Sequence, residues 1–353
     1  MSSTLREVLT KHLPPPGTTN LRSGGKRTRD STPLTWDKFF DENRTVDVDG
    51  NSFNGTSGPV FYLLHGGGYS GLTWACLARE LSSRIQCRLL VPDLRGHGHT
   101  QTQDDKDLSV ERQTKVYHSI VEDVLSYALV TQFLGINTFF PAENDEDPPL
   151  VCVVGHSMGG ALAVHVVATN EIPNVVALVV IDVVEGSAMD ALGGMLTFLR
   201  GRPNVFESEE KAVAWCLQSG ATRNREAARI SMPSQIKKTE DGKYTWRIDL
   251  TDTEQFWVGW FQGLSAKFLS CSPPKLLVLA GVDRLDKDLT IAQMQGKFQN
   301  TILPKVGHAV HEDSPDRLAD ELARFALRHR FAEAVPGARP LAPHPMMGMG
   351  MMI

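Results

Sequence analysis

A mostly parallel β-sheet with helices on both faces is the fold class this sequence predicts, and three observations predict it. Short apolar runs alternate with longer amphipathic stretches from Gly58 to Ile181, and again from Lys275 to Arg330. The apolar runs are continuous, as in strands buried on both faces, rather than alternating with polar residues. The sequence Gly155-His-Ser-Met-Gly159 sits between one such run and a helical pattern, a strand-turn-helix arrangement of an α/β sheet.

The elements follow in order. Residues 1–35 hold Pro14-Pro-Pro-Gly17 and many Ser, Thr, Gly and Arg residues, so a flexible arm is expected. An edge hairpin is expected over 42–56, turning at Asp49-Gly50. Strands are expected at Val60–Leu64, Cys87–Val91, Leu150–Val154, Val175–Ile181, Lys275–Ala280 and Phe298–Leu303. Helices are expected at Trp74–Ser83, Val110–Leu129, Gly159–Ala168 and Pro315–Arg330. The last has Leu318, Leu322, Phe325 and Ala326 on one face.

The rhythm breaks over 186–271, which carries helical patterns at Ala188–Leu199, Ser208–Ser219 and Asn224–Met232 and a polar loop at Lys237–Lys243. It also holds Trp215, Trp246, Trp257 and Trp260. This reads as a largely helical cap inserted into the sheet domain. The chain thus divides into an arm (1–35), a core (36–185), the cap (186–271), the rest of the core (272–333) and a loose Pro-, Gly- and Met-rich tail (334–353).

Composition excludes several function classes. A net charge of −5 leaves no basic footprint for nucleic acid. The five cysteines form no CxxC pair, so reduced, buried thiols are expected rather than a disulfide framework or a zinc site. No run approaches a membrane span, and the N-terminus lacks the apolar core of a signal peptide. A cytoplasmic protein is expected, with the nucleus open through the basic stretch from Arg22 to Arg29.

The chemistry concentrates at Ser157. In a G-x-S-x-G turn the serine occupies a strained elbow, and the residues two before and two after it must be small. That motif in this context predicts the α/β-hydrolase fold, with Ser157 as nucleophile. Two N–H groups should hold the oxyanion of an acyl-transfer intermediate. Met158 should supply one, and Gly67 of His65-Gly-Gly-Gly68 is favoured for the other, with Gly66 or Gly68 as the alternatives. The base must follow in the chain, and His308, after a late strand and before the last helix, is the candidate. His311 is read as a loop-supporting or packing residue. Asp93 and Arg95 are read as loop-fixing, and His65, His97, His99, His156 and His165 as structural. Two strand-end aspartates compete to orient the base, Asp182 and Asp283. Fold logic alone slightly favours Asp283.

Beyond the motif, the sequence resembles the protein phosphatase methylesterase family. The resemblance is carried by Leu64–Gly68, Gly155–Ala161, Ile181–Gly186, Met189–Leu192, Arg200–Pro203, Tyr244–Ile248, Leu276–Gln299 and Gly307–Asp313, within about 36–332. It implies hydrolysis of the methyl ester on the C-terminal leucine of the type 2A protein phosphatase catalytic subunit, with no metal or cofactor. It also implies Asp182 as the triad acid, leaving Asp283 to fix the loop beneath His308. Trp257 and Trp260 are candidate substrate-binding residues, with Trp246 and Phe261 beside them. Arg200, Arg202 and Arg247 are candidate phosphatase contacts. The Lys237–Lys243 loop is short where relatives carry long acidic insertions, and the Met-rich tail has no counterpart. The competing functions are a small-molecule esterase of the same fold and a phosphatase-binding regulator that acts without catalysis.

Overall fold

The computed structural model describes residues 30–46, 49–54, 58–102, 104–114, 150–172, 174–281 and 285–342. Asp283, the basic stretch before residue 30, most of the Val110–Leu129 helix and the end of the tail lie outside the described residues. Residues 110–114 are helical.

The main sheet has eight strands in the order β1 (Glu42–Val46), β2 (Asp49–Asn54), β4 (Arg88–Pro92), β3 (Val60–Leu64), β5 (Val151–His156), β6 (Val175–Ile181), β10 (Lys275–Leu279) and β11 (Gln299–Ile302). The six from β4 to β11 run parallel, and β1 and β2 add an antiparallel edge. The hairpin does not turn at Asp49-Gly50. Val46 pairs with Asp49, so Asp49 and Gly50 belong to the second strand.

The apolar runs are continuous because both faces are covered. Phe61, Leu63, Cys152 and Val154 enter one apolar cluster with helices α1 (Ala75–Ser82) and α10 (Pro315–Arg328). Val60, Tyr62, Leu64, Val151 and Val153 point the other way. They meet α2 (Met158–Ala168), α6 (Glu254–Phe261) and α7 (Leu264–Ser270). Each side chain buried this fully contributes about 1.5–3 kcal/mol. Cys76, Cys87, Cys152, Cys216 and Cys271 are free, buried thiols.

Residues 185–271 carry α3 (Glu185–Arg200), α4 (Glu209–Ser219), α5 (Arg225–Ser234), α6 and α7. They also form a small antiparallel sheet, β7 (Val205–Phe206), β9 (Tyr244–Trp246) and β8 (Ile236–Lys238), which the sequence did not suggest. Lys237 and Lys238, the start of the expected polar loop, are therefore strand, and the loop itself runs from Thr239 to Lys243. Phe206, Val213, Met232 and Ile236 give this layer its own apolar cluster. Two short helices, α8 (Lys287–Met294) and α9 (Val310–Asp313), complete the set. No helix among the described residues is long and apolar enough to cross a membrane.

Candidate active site

Loops leaving the carboxyl ends of β3, β5 and β6 converge with the segment between β11 and α10. β4 and β5 flank β3 on opposite sides, so the chain reverses its winding there, and the crevice opens at that point.

Ser157 joins β5 to α2 with φ 53° and ψ −119°, a backbone region that side chains rarely adopt. The turn closes only because its flanks are bare. A Cβ on Gly155 would lie 2.1 Å from the Gly159 carbonyl oxygen, and one on Gly159 would lie 2.3 Å from that of Leu64. The Ser157 N–H donates to the Ile181 carbonyl at 3.0 Å, tying the turn to the end of β6. Met158 opens α2, so its N–H has no acceptor within the helix. Gly67 and Gly68 border the same cavity as Ser157 and Met158, and Gly68 has φ 82°. Gly66 stands behind them, where a Cβ would come within 2.9 Å of His156 Nδ1.

His308 donates from Nδ1 to Asp182 Oδ2 at 2.8 Å. Asp182 directly follows β6 at φ 54°, and its side chain is fully buried. Its Oδ1 accepts the Ala280 N–H at 2.9 Å, so β10 sets the direction of the carboxylate. Among the described residues no hydrogen bond joins Ser157 Oγ to His308. Asp283, the other aspartate in contention, is not among the described residues.

Three further histidines back the site and stay neutral. Burial and the neighbouring His308 push the His156 imidazole down to about 3. Burial does the same to His65, which donates from Nδ1 to the Gly66 carbonyl and accepts the Leu94 N–H at 2.9 Å. His311, the rival base candidate, is buried against Trp74 with ring centroids 4.3 Å apart. Its Nε2 meets Thr73 Oγ1 at 2.7 Å, and burial lowers its pKa well below the usual range.

Asp93 accepts the N–H groups of Gly71 at 2.7 Å and His99 at 2.8 Å, and Arg95 donates to the Asp107 carbonyl at 3.2 Å. Both fix loops.

The cavity beside Ser157 and His308 measures about 260 Å³. Leu192, Met195 and Phe198 of α3 and Leu250 form much of its wall. Trp257, Trp260, Trp246 and Phe261 also line it. Trp257 and Trp260 hold their positions through hydrogen bonds of 2.7 Å, to Thr253 Oγ1 and the Leu108 carbonyl. They border the cavity and join its layers at once. Arg202 lines the cavity, whereas Arg200 and Arg247 do not.

Sequence reasoning missed Glu312, which borders the cavity, is fully buried, and accepts the Thr73 hydroxyl at 2.6 Å. A lone acid in a stretch read for its histidines gave no signal. Among the described residues no cluster of His, Cys, Asp or Glu is arranged to hold a metal ion.

Residues 61–321 match the model of the alpha/beta hydrolase family. The chain is 55% identical over 346 residues to a probable protein phosphatase methylesterase 1 of Caenorhabditis elegans, spanning 97% of this chain and 89% of that one. It is 43% identical over 386 residues to protein phosphatase methylesterase 1 of Mus musculus, spanning 94% and 95%. Among solved structures, E-2-(acetamidomethylene)succinate hydrolase superposes with a TM-score of 0.61 at 20% identity, covering 80% of this chain and 98% of that one. An esterase of Mycobacterium tuberculosis superposes at 0.57 with 24% identity, covering 81% and 91%. These two likenesses are of fold.

Proposed function

Because the chain belongs to the protein phosphatase methylesterases, carboxylic ester hydrolases of the α/β-hydrolase fold, we propose that it removes the methyl ester from the C-terminal leucine of the type 2A protein phosphatase catalytic subunit. The reaction proceeds through an acyl-enzyme on Ser157. The observation that carries this reading is the Asp182–His308 pair standing beside a strained serine at one cavity.

Each residue has a role set by its position. Ser157 Oγ attacks the ester carbonyl while His308 Nε2 takes its proton. Asp182 keeps the proton of His308 on Nδ1, which leaves Nε2 free to accept. The contact between Ser157 and His308 closes in the substrate complex, as catalytic hydrogen bonds often do. The Met158 and Gly67 N–H groups hold the oxyanion. The intermediate collapses, and methoxide leaves as methanol with the proton returned by His308. Water, deprotonated by His308, then attacks the acyl carbon and releases the free carboxylate and Ser157.

Residues 186–271 act as a cap over this cavity. Trp257 and Trp260 bound the space that receives the ester-bearing residue. A volume of about 260 Å³ lies just under the roughly 300–1,000 Å³ of small-molecule pockets. The same volume favours a second activity on small apolar esters.

The test uses purified, methylated phosphatase catalytic subunit, wild-type enzyme and Ser157→Ala. Loss of the methyl ester with wild type alone is expected. No demethylation by folded wild-type enzyme would remove the phosphatase from this reading. Equal activity of Ser157→Ala would remove the acyl-enzyme.

A further inference from the structure

Arg202 follows α3 and places its guanidinium carbon 3.6 Å from the centroid of the Trp246 ring. That ring is itself fixed. Its Nε1 donates to the Pro203 carbonyl at 2.7 Å, and Phe206 and Trp215 pack against it with centroids 5.4 and 5.6 Å away. Arg202 borders the same cavity as Ser157 and His308. Among the described residues no carboxylate within ion-pair distance and no hydrogen-bond acceptor meets its guanidinium.

The acids around it are committed elsewhere. Asp249, whose charge reaches Arg202, accepts the Thr251 N–H at 2.9 Å and the Thr251 hydroxyl at 2.7 Å. Glu312 accepts from Thr73, and burial raises its pKa to about 7. Burial lowers the Arg202 pKa only to about 10, so the side chain stays cationic at neutral pH.

A guanidinium stacked on a fixed indole has already lost much of its rotamer freedom, and among the described residues its donors are not taken by the protein. Such a group is prepared for an acceptor that arrives with the ligand. Among the described residues Arg202 is the one cation of the cavity wall, which suits a single negative charge, and a planar fork matches a carboxylate.

We propose that Arg202 is a specificity-determining residue that receives a carboxylate in the active-site cavity. That carboxylate is either an acidic side chain of the substrate peptide or the group that ester hydrolysis releases. The inference rests on the peptide-ester reading above and names the charge that the site selects.

The test has two arms, both read on the full chain. In the first, N-acetylated tetrapeptide methyl esters ending in leucine carry Asp or Asn at one of the three preceding positions. The Asp:Asn ratio of kcat/KM is measured for wild type, Arg202→Met and Arg202→Lys. In the second, the product acid and its primary amide compete against hydrolysis of an activated acyl ester, so this arm runs even where peptide esters turn over slowly.

A side-chain carboxylate predicts a ratio of about ten or more at one position in wild type, near one in Arg202→Met and intermediate in Arg202→Lys. A product carboxylate predicts that the acid inhibits wild type about tenfold better than the amide, and that Arg202→Met loses this difference. Wild type that discriminates in neither arm overturns the proposal, without any variant having to fold. Discrimination unchanged in Arg202→Met overturns it as well. The phosphatase is absent from both arms, so failure to demethylate it bears on the physiological substrate and leaves this result standing.

Discussion

His156 Nε2 donates a hydrogen bond of 2.9 Å to the backbone carbonyl of His308. The residue immediately before the serine therefore holds the loop that carries the candidate base, and the two rings lie with centroids 4.6 Å apart. With its pKa pushed down to about 3, His156 is a neutral donor at every pH near neutrality. Replacing it with Phe keeps a ring against His308 and deletes the donor. We expect kcat to fall about tenfold with a smaller change in KM, and stability to fall by about 1 kcal/mol. Steady-state kinetics and thermal denaturation read these separately. An unchanged kcat would leave His156 with a packing role only.

Glu312 gives stability a pH dependence of known sign. Its carboxyl is pushed from 4.5 up to about 7, with burial the largest cause. Between those values the folded protein binds the proton that the unfolded chain has released. Stability from this group therefore falls as pH rises through that window, by about 1.4 kcal/mol per unit at most. Buried His65 and His156 oppose it. Their pKa values fall from 6.5 to about 3, so their contribution is present above 6.5 and is lost as pH falls. The sum hides each part, but a difference isolates one. Glu312→Gln keeps an acceptor for Thr73 and removes the charge. Its melting temperature should exceed that of wild type at pH 8, and the gap should close toward pH 5. A gap that is constant with pH would show that Glu312 does not titrate in this range.

The fold was legible where burial imposed a simple pattern. The strands from Val60 to Leu64 and from Val151 to His156 are buried along their full length, so an unbroken apolar run marked each. The small sheet was not legible, because strands of two or three residues are shorter than any period they could display. The turn at Ser157 was legible because its constraint is local. The contact between Asp182 and His308 joins residues 126 apart in the chain. Of the two strand-end aspartates, fold logic leaned toward Asp283, and only the family resemblance pointed to Asp182. Arg202 was visible only as one of three arginines, since nothing local reports a stacking partner 44 residues away on β9.

The glycines give a paired prediction. Gly159→Ala would bring a Cβ to 2.3 Å from the Leu64 carbonyl oxygen and 2.4 Å from that of His65, and neither backbone atom can move without shifting β3 and its glycine loop. We expect a loss of about 3 kcal/mol or more and no esterase activity. Gly193→Ala, inside α3, meets nothing within 4 Å. It should stabilise the helix by roughly 0.5–1 kcal/mol. Denaturant titration of both variants checks the pair, and equal midpoints would contradict it.

Asp182→Asn tests the orientation of the base with little change of shape. The asparagine carbonyl can still accept the Ala280 N–H that Asp182 Oδ1 accepts at 2.9 Å. Its amide then faces His308 Nδ1, where a carboxylate oxygen stood 2.8 Å away. Two donors cannot share that contact, so the imidazole moves its proton to Nε2. Nε2 is the atom that must take the proton of Ser157, and in this tautomer it is already occupied. The loss falls on the transition state rather than on substrate binding. We expect kcat to drop by about 1,000- to 10,000-fold with KM changed little. A loss smaller than tenfold in a folded variant would remove Asp182 from the triad and direct attention to Asp283, the second strand-end aspartate in the sequence.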